Sequence, residues 1–120
     1  MNLIHLFLIV GMLMAAGCTK KAPTHILELE KKAEAGDAFA QFNLGNAYYK
    51  RNDVPQDYKE AVKWFTKAAD HKWGAPKAKL GECYLNGIGV AKDKKEAVKW
   101  FTKAGYSPEV IEAIVKMRSK

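Results

Sequence analysis

Lys59-Glu60-Ala61-Val62-Lys63-Trp64-Phe65-Thr66-Lys67-Ala68 recurs without a change as Lys95-Glu96-Ala97-Val98-Lys99-Trp100-Phe101-Thr102-Lys103-Ala104, an offset of 36 residues. Identity sustained at one fixed offset marks an internal repeat, and a period in the thirties is that of a two-helix unit. The same offset pairs Leu44 with Leu80, Gly45 with Gly81, Tyr48 with Tyr84, Val54 with Val90 and Asp57 with Asp93. The repeated unit is therefore longer than one helix.

Inside each copy Ala61, Trp64, Phe65 and Ala68, and again Ala97, Trp100, Phe101 and Ala104, fall at i, i+3, i+4 and i+7, which gathers them on one helix face. Asp57 with Glu60, and Asp93 with Glu96, have the spacing of a capping box, so these residues predict the helix starts. The preceding helix of each unit carries Ala40, Leu44 and Tyr48, or Ala78, Leu80 and Tyr84. Its glycine, Gly45 or Gly81, costs about 1 kcal/mol in a helix interior. The cost is accepted where the missing side chain lets an aromatic ring of the partner helix reach the backbone. Gly87-Ile88-Gly89-Val90 in one copy, and Arg51-Asn52-Asp53-Val54 in the other, read as turns that fold one valine back over the hairpin. Asn52 and Asp53 are read as the stand-ins for the two loop glycines.

The stretches Ala40-Gln41-Phe42-Asn43-Leu44-Gly45 with Tyr48, Gly87-Ile88-Gly89-Val90, and the repeated decapeptide resemble Sel1-like repeats, relatives of the tetratricopeptide repeat. The resemblance spans about residues 31 to 105. It implies an all-α fold, a short right-handed superhelical solenoid of about two full hairpins plus capping helices. The expected division is a signal peptide at 1–17, a tether at 18–23 and a repeat domain at 24–120. The repeats lie at about 37–72 and 73–106, and a C-terminal capping helix at 107–119.

Stacked hairpins need polar caps and about three units for stability. Thr24 to Ala35, with Ile26, Leu27, Leu29 and Ala33 and a stop at Gly36, reads as a leading half-repeat. Ser107-Pro108-Glu109 is an N-cap, a proline at the first helical position and an early acid. The helix it opens places Val110, Ile111, Ile114 and Val115 on one face and ends in Lys116 and Arg118.

The first seventeen residues hold no charged side chain, so the net charge of +7 belongs to the remainder. Leu6 to Ala16 is an apolar run shorter than the roughly 18 residues a transmembrane helix needs, followed by small residues, Cys18 and two lysines. Small residues before a cysteine resemble the lipobox of bacterial lipoproteins, which implies cleavage before Cys18 and its lipidation. Ala15 replaces the usual leucine, and no basic residue precedes the apolar run. Thr19 after the cysteine points, by the same resemblance, to the outer membrane and a periplasm-facing domain. With Cys18 acylated, Cys83 has no disulfide partner and is expected to be a buried apolar side chain opposite Ala47.

Catalytic constellations are missing from the sequence. Ser107 and Ser119 are the only serines, and no Ser-x-x-Lys or Lys-Thr-Gly occurs. His5, His25 and His71 have no partner at metal-ligand spacing. The chain is read as a non-enzyme without cofactor or metal. Export argues against nucleic acid as the partner of its basic surface. Lysines 59, 63, 67 and 95, 99, 103 have the spacing of a solvated helix stripe.

In tetratricopeptide-like arrays the first helix of each hairpin lines the concave face. By that resemblance Phe39, Phe42, Asn46, Tyr49 and Lys50, then Glu82, Leu85 and Asn86, are the expected partner-binding residues, with Ala75 and Ala78 beside them. Trp73, which breaks the repeat, is either an exposed anchor or an inter-repeat contact. The function expected is a protein–protein interaction module of the cell envelope, working as a monomer. A sharper form is an immunity protein that neutralises a toxic effector; the alternative is binding of anionic lipid or cell-wall polymer through the lysines.

Overall fold

The computed structural model describes residues 23–119, so the apolar leader and Cys18 lie outside the described residues. Those residues form six helices and no strand: α1 (Thr24–Glu34), α2 (Ala38–Lys50), α3 (Tyr58–Ala69), α4 (Gly74–Asn86), α5 (Lys94–Lys103) and α6 (Pro108–Arg118). Helices α2 with α3, and α4 with α5, are the repeated hairpins. Helix α1 precedes them and α6 closes the stack, which is the all-α repeat solenoid that the resemblance implies.

Each hairpin closes on its glycine. A Cβ on Gly45 would lie 2.6 Å from Cε1 of Phe65, and one on Gly81 2.7 Å from Cε1 of Phe101. Both rings are sealed from solvent. Burying a phenylalanine contributes roughly 2–3 kcal/mol, more than the helix cost of the glycine that makes room for it.

Three apolar clusters follow one another along the stack. Trp64 joins Ala33, Ala40 and Leu44, which ties α3 to the two helices before it. Phe65, Ala61, Val62, Ala69, Leu80 and Cys83 form the middle cluster, with Trp100 packed against it. Ala97, Phe101, Leu85 and Ile111 form the last. The two tryptophans thus do the same job one repeat apart, although Trp64 is 5% exposed while Trp100 is only partly buried. Gln41 adds a polar tie, its Nε2 donating to the Ala33 carbonyl at 3.0 Å across the α1–α2 joint.

The caps use half of the expected box. Asp57 and Asp93 accept the backbone N–H of Glu60 and Glu96, each at 3.1 Å. The reciprocal arm is not made, because the N–H groups of Asp57 and Asp93 are already given to the carbonyls of Tyr48 (3.0 Å) and Tyr84 (2.8 Å). Glu60 and Glu96 instead pair along the helix with Lys63 (3.2 Å) and Lys99 (3.6 Å).

Both loops have one shape, and the residues that allow it in the first differ from those the sequence suggests. Left-handed backbone falls at Gly87 and Gly89, and correspondingly at Arg51 (φ 62°) and Asp53 (φ 61°), not at Asn52. Position in the stack explains why only one loop needs glycine. A Cβ on Gly89 would sit 2.3 Å from the Tyr58 carbonyl oxygen of the preceding hairpin. Asp53 faces α1 instead, where its carboxylate meets Nε2 of His25 at 3.0 Å.

Two flank expectations need correction. Leu27 of α1 is 46% exposed, and Val110 of α6 is 47% exposed. Helix α6 seats on the stack through Ile111, with Ile114 and Val115 half-buried. Val110 lies about 100° around the helix from Ile111 and misses the contact.

Candidate partner-binding surface

Helices α2 and α4 lead their hairpins, and a partly exposed aromatic cluster spans their N-terminal ends. Phe39 is 65% exposed and stacks on Trp73, with centroids 5.9 Å apart and planes at 24°. Trp73 is the N-cap residue of α4 and lacks a side-chain cap bond, so its indole is placed by ring contacts. Phe42, one turn after Phe39, meets the Trp73 edge at 4.8 Å and rests on Phe65 at 5.7 Å. The patch is thus an outer ring, Phe39, fixed through Trp73 and Phe42 to the core.

Two turns further, Tyr49 packs on Phe65 (6.3 Å) and Tyr58 (5.4 Å). Lys79 of α4 places Nζ 4.8 Å from its ring centroid and pairs with Glu82 at 3.3 Å. Burial, partly opposed by Lys79, raises the Tyr49 phenol above its ordinary pKa, which keeps the ring neutral. Phe42, Tyr49 and Glu82 therefore lie along one α2–α4 seam with Phe39 at its open end.

The other expected residues separate from that seam. Asn46 and Lys50 line a polar cleft of about 630 Å³ with Asn43, His25, Arg51 and Asp53, between α1, α2 and the first loop. Asn86 is exposed at the last position of α4. Leu85 leaves the surface set: it is 3% exposed and packs with Ala97, Phe101 and Ile111, because α5 and α6 cover the far side of α4. Lys79 and Tyr58 were missed by the sequence reading. The offset pairs Lys79 with Asn43, so nothing in the repeat pattern distinguishes it.

The lysine rows are exposed on α3 and α5 as their spacing predicts. Lys67 lies 4.7 Å over the Trp64 ring and Lys103 4.6 Å over Trp100, so their stems cover the indoles while the charges meet water. Cys83 is fully buried.

Helix hairpins stacked in series, closed by a Gly–Phe contact and bearing an aromatic seam, define a helical-repeat scaffold. The Sel1 repeat model matches residues 38–72 and 77–107, and the chain belongs to the Sel1 repeat family. Sel1 repeats generally mediate protein–protein interaction.

The chain is 43% identical over 44 residues to a putative Sel1-like repeat-containing protein of Acanthamoeba polyphaga mimivirus, covering 35% of this chain and 8% of that one. It is 42% identical over 41 residues to the secretory immunoglobulin A-binding protein EsiB of Escherichia coli O6:H1, covering 34% and 8%. Among solved structures, a Sel1 repeat protein from Oxalobacter formigenes superposes with a TM-score of 0.66 at 38% identity, over 74% of this chain and 26% of that one. A protective antigen of uropathogenic Escherichia coli strains displaying an SLR fold gives 0.71 at 29% identity, over 88% and 24%. Cysteine rich protein B of Helicobacter pylori gives 0.65 at 28%, over 73% and 68%. The chain spans about a twelfth of the curated relatives it matches.

Proposed function

We propose that this chain is an envelope lipoprotein, anchored through Cys18, that holds one protein partner on the α2–α4 seam with the Phe39–Trp73–Phe42 cluster as its anchor. The observation that carries the reading is Phe39, a large apolar ring left 65% exposed yet fixed in place by stacking on Trp73. A pre-positioned aromatic loses little rotamer freedom on binding, which is why such residues dominate interface energetics. The sharper form is an immunity protein neutralising a toxic effector, distinguished from a general scaffold by a single one-to-one complex. The test is a crosslinked pull-down of the full-length tagged protein from its own envelope, read by mass spectrometry. One stoichiometric partner, retained at high salt and lost on Phe39→Ala or Trp73→Ser, is the expected result. Recovery of the same proteins by wild type and both variants would sink it.

The two exposed lysine rows support a second reading, attachment to anionic lipid or cell-wall polymer. That reading requires binding to protein-free anionic vesicles that falls steeply with salt and is insensitive to Phe39→Ala.

A further inference from the structure

The two ends of the stack are finished differently. Helix α1 leaves one large apolar side chain exposed, Leu27 at 46%, beside Glu28, Lys31 and Lys32. Helix α6 leaves a longer stripe. Val110 (47%) and Met117 (71%) are among the most exposed large apolar side chains of the described residues, and Ala113 lies exposed between them. The three fall at i, i+3 and i+7, a stripe about 100° or more around the helix from the buried Ile111.

We propose that this stripe is the contact of a two-fold dimer, in which α6 of one copy packs antiparallel against α6 of a second copy. The occupant is argued from charge. Glu109 and Lys116, both exposed, are seven residues apart and so lie on the same flank of the stripe, about 10 Å apart along the axis. An antiparallel two-fold pair brings Glu109 of each copy opposite Lys116 of the other, and it also opposes the helix dipoles; in a parallel two-fold pair these flanks fall on opposite sides of the contact, so the charges do not meet and the dipoles align. An eleven-residue helix is short for an interface, so the dimer is a weak one. The sequence reading expects a monomer, and nothing in its periodicity separates Val110 from the residues that α6 buries.

The test is sedimentation of the full chain in mild detergent over a micromolar concentration series, with thermal melts of every variant. Met117→Glu is expected to abolish association with an unchanged melt. Glu109→Lys and Lys116→Glu should each weaken it about tenfold, and Glu109→Lys/Lys116→Glu should restore it, since exchanging the two charges preserves the pairing between copies. A wild type that stays monomeric throughout, or a dimer that Met117→Glu leaves intact or that the double exchange fails to restore, would overturn the proposal.

Discussion

At Gly45 and Gly81 the decisive quantity is a missing methyl group. Alanine is the better helix former by about 1 kcal/mol. Yet its Cβ would sit 2.6–2.7 Å from a ring enclosed on all sides, so the hairpin must open. Gly45→Ala and Gly81→Ala are each expected to destabilise by about 1–3 kcal/mol in denaturant melts, the range for overpacking a filled core. Asp53 runs the other way. Its left-handed backbone costs about 1 kcal/mol, and its only cross-element side-chain bond among the described residues is the exposed one to His25. Asp53→Gly should therefore stabilise by up to about 1 kcal/mol, whereas Gly89→Ala should destabilise by more than Gly45→Ala, because the obstacle is a carbonyl and not a ring. Burial pushes the Cys83 thiol from its ordinary value of 9.0 up to about 11. Because the folded state holds the proton more tightly, the associated stability is present below about pH 9 and is lost as pH rises towards 11. Wild type should lose stability more steeply than Cys83→Ala across that window, and peptide mapping should show Cys83 unalkylated at neutral pH.

Helix boundaries were readable because capping chemistry is local. Asp57, Asp93 and Ser107 accept the N–H three residues on, in the geometry their spacing predicts. What spacing could not reveal was competition for the N-cap's own N–H, which a carbonyl from the previous helix takes. Asp57→Ala and Asp93→Ala should each cost about 1 kcal/mol in melting experiments. Glu60→Gln and Glu96→Gln should each cost less than that, since each loses an exposed pair with a lysine one turn away and a negative charge in the first turn of its helix while keeping the side chain's length. The Leu85 misplacement has a similar origin: its burial depends on where α6 comes to rest, a long-range fact absent from any window around residue 85.

Across the whole molecule, cohesion passes from hairpin to hairpin through Trp64 and Trp100. The repeat made these residues equivalent on paper, yet the stack does not. Trp64 closes against α1 and α2 at 5% exposure, while the Trp100 indole Nε1 is buried without a hydrogen-bond partner among the described residues. Trp64→Ala is expected to cost about 3–5 kcal/mol and Trp100→Ala clearly less, because it also removes an unsatisfied donor. Chemical denaturation of both variants checks the order. The candidate surface was legible to the extent that helix phase decides it: Phe39, Phe42 and Tyr49 share the seam, but Asn46 and Lys50, only a fraction of a turn away, open into the cleft beside α1.

The identity of the decapeptide in α3 and α5 has a consequence for how the chain reaches this arrangement. Phe65 and Phe101 fit the same kind of notch, so either helix presents a matching knob to Gly45 or to Gly81. Contact energy alone distinguishes poorly between the right and the crossed pairing, and a crossed hairpin would be a kinetic trap of the kind repeat chains are prone to. For Gly45, distance along the chain discriminates: the loop at 51–57 leaves Phe65 20 residues away while Phe101 is 56 away; for Gly81 it does not, because Phe65 is 16 residues away and Phe101 20. The N–H of Asp57 and Asp93, each held by a carbonyl across the loop, then latches that choice. At α4 the choice between the two rings therefore falls to the loop at 87–93, whose bond from the Asp93 N–H to the Tyr84 carbonyl belongs to the α4–α5 hairpin alone.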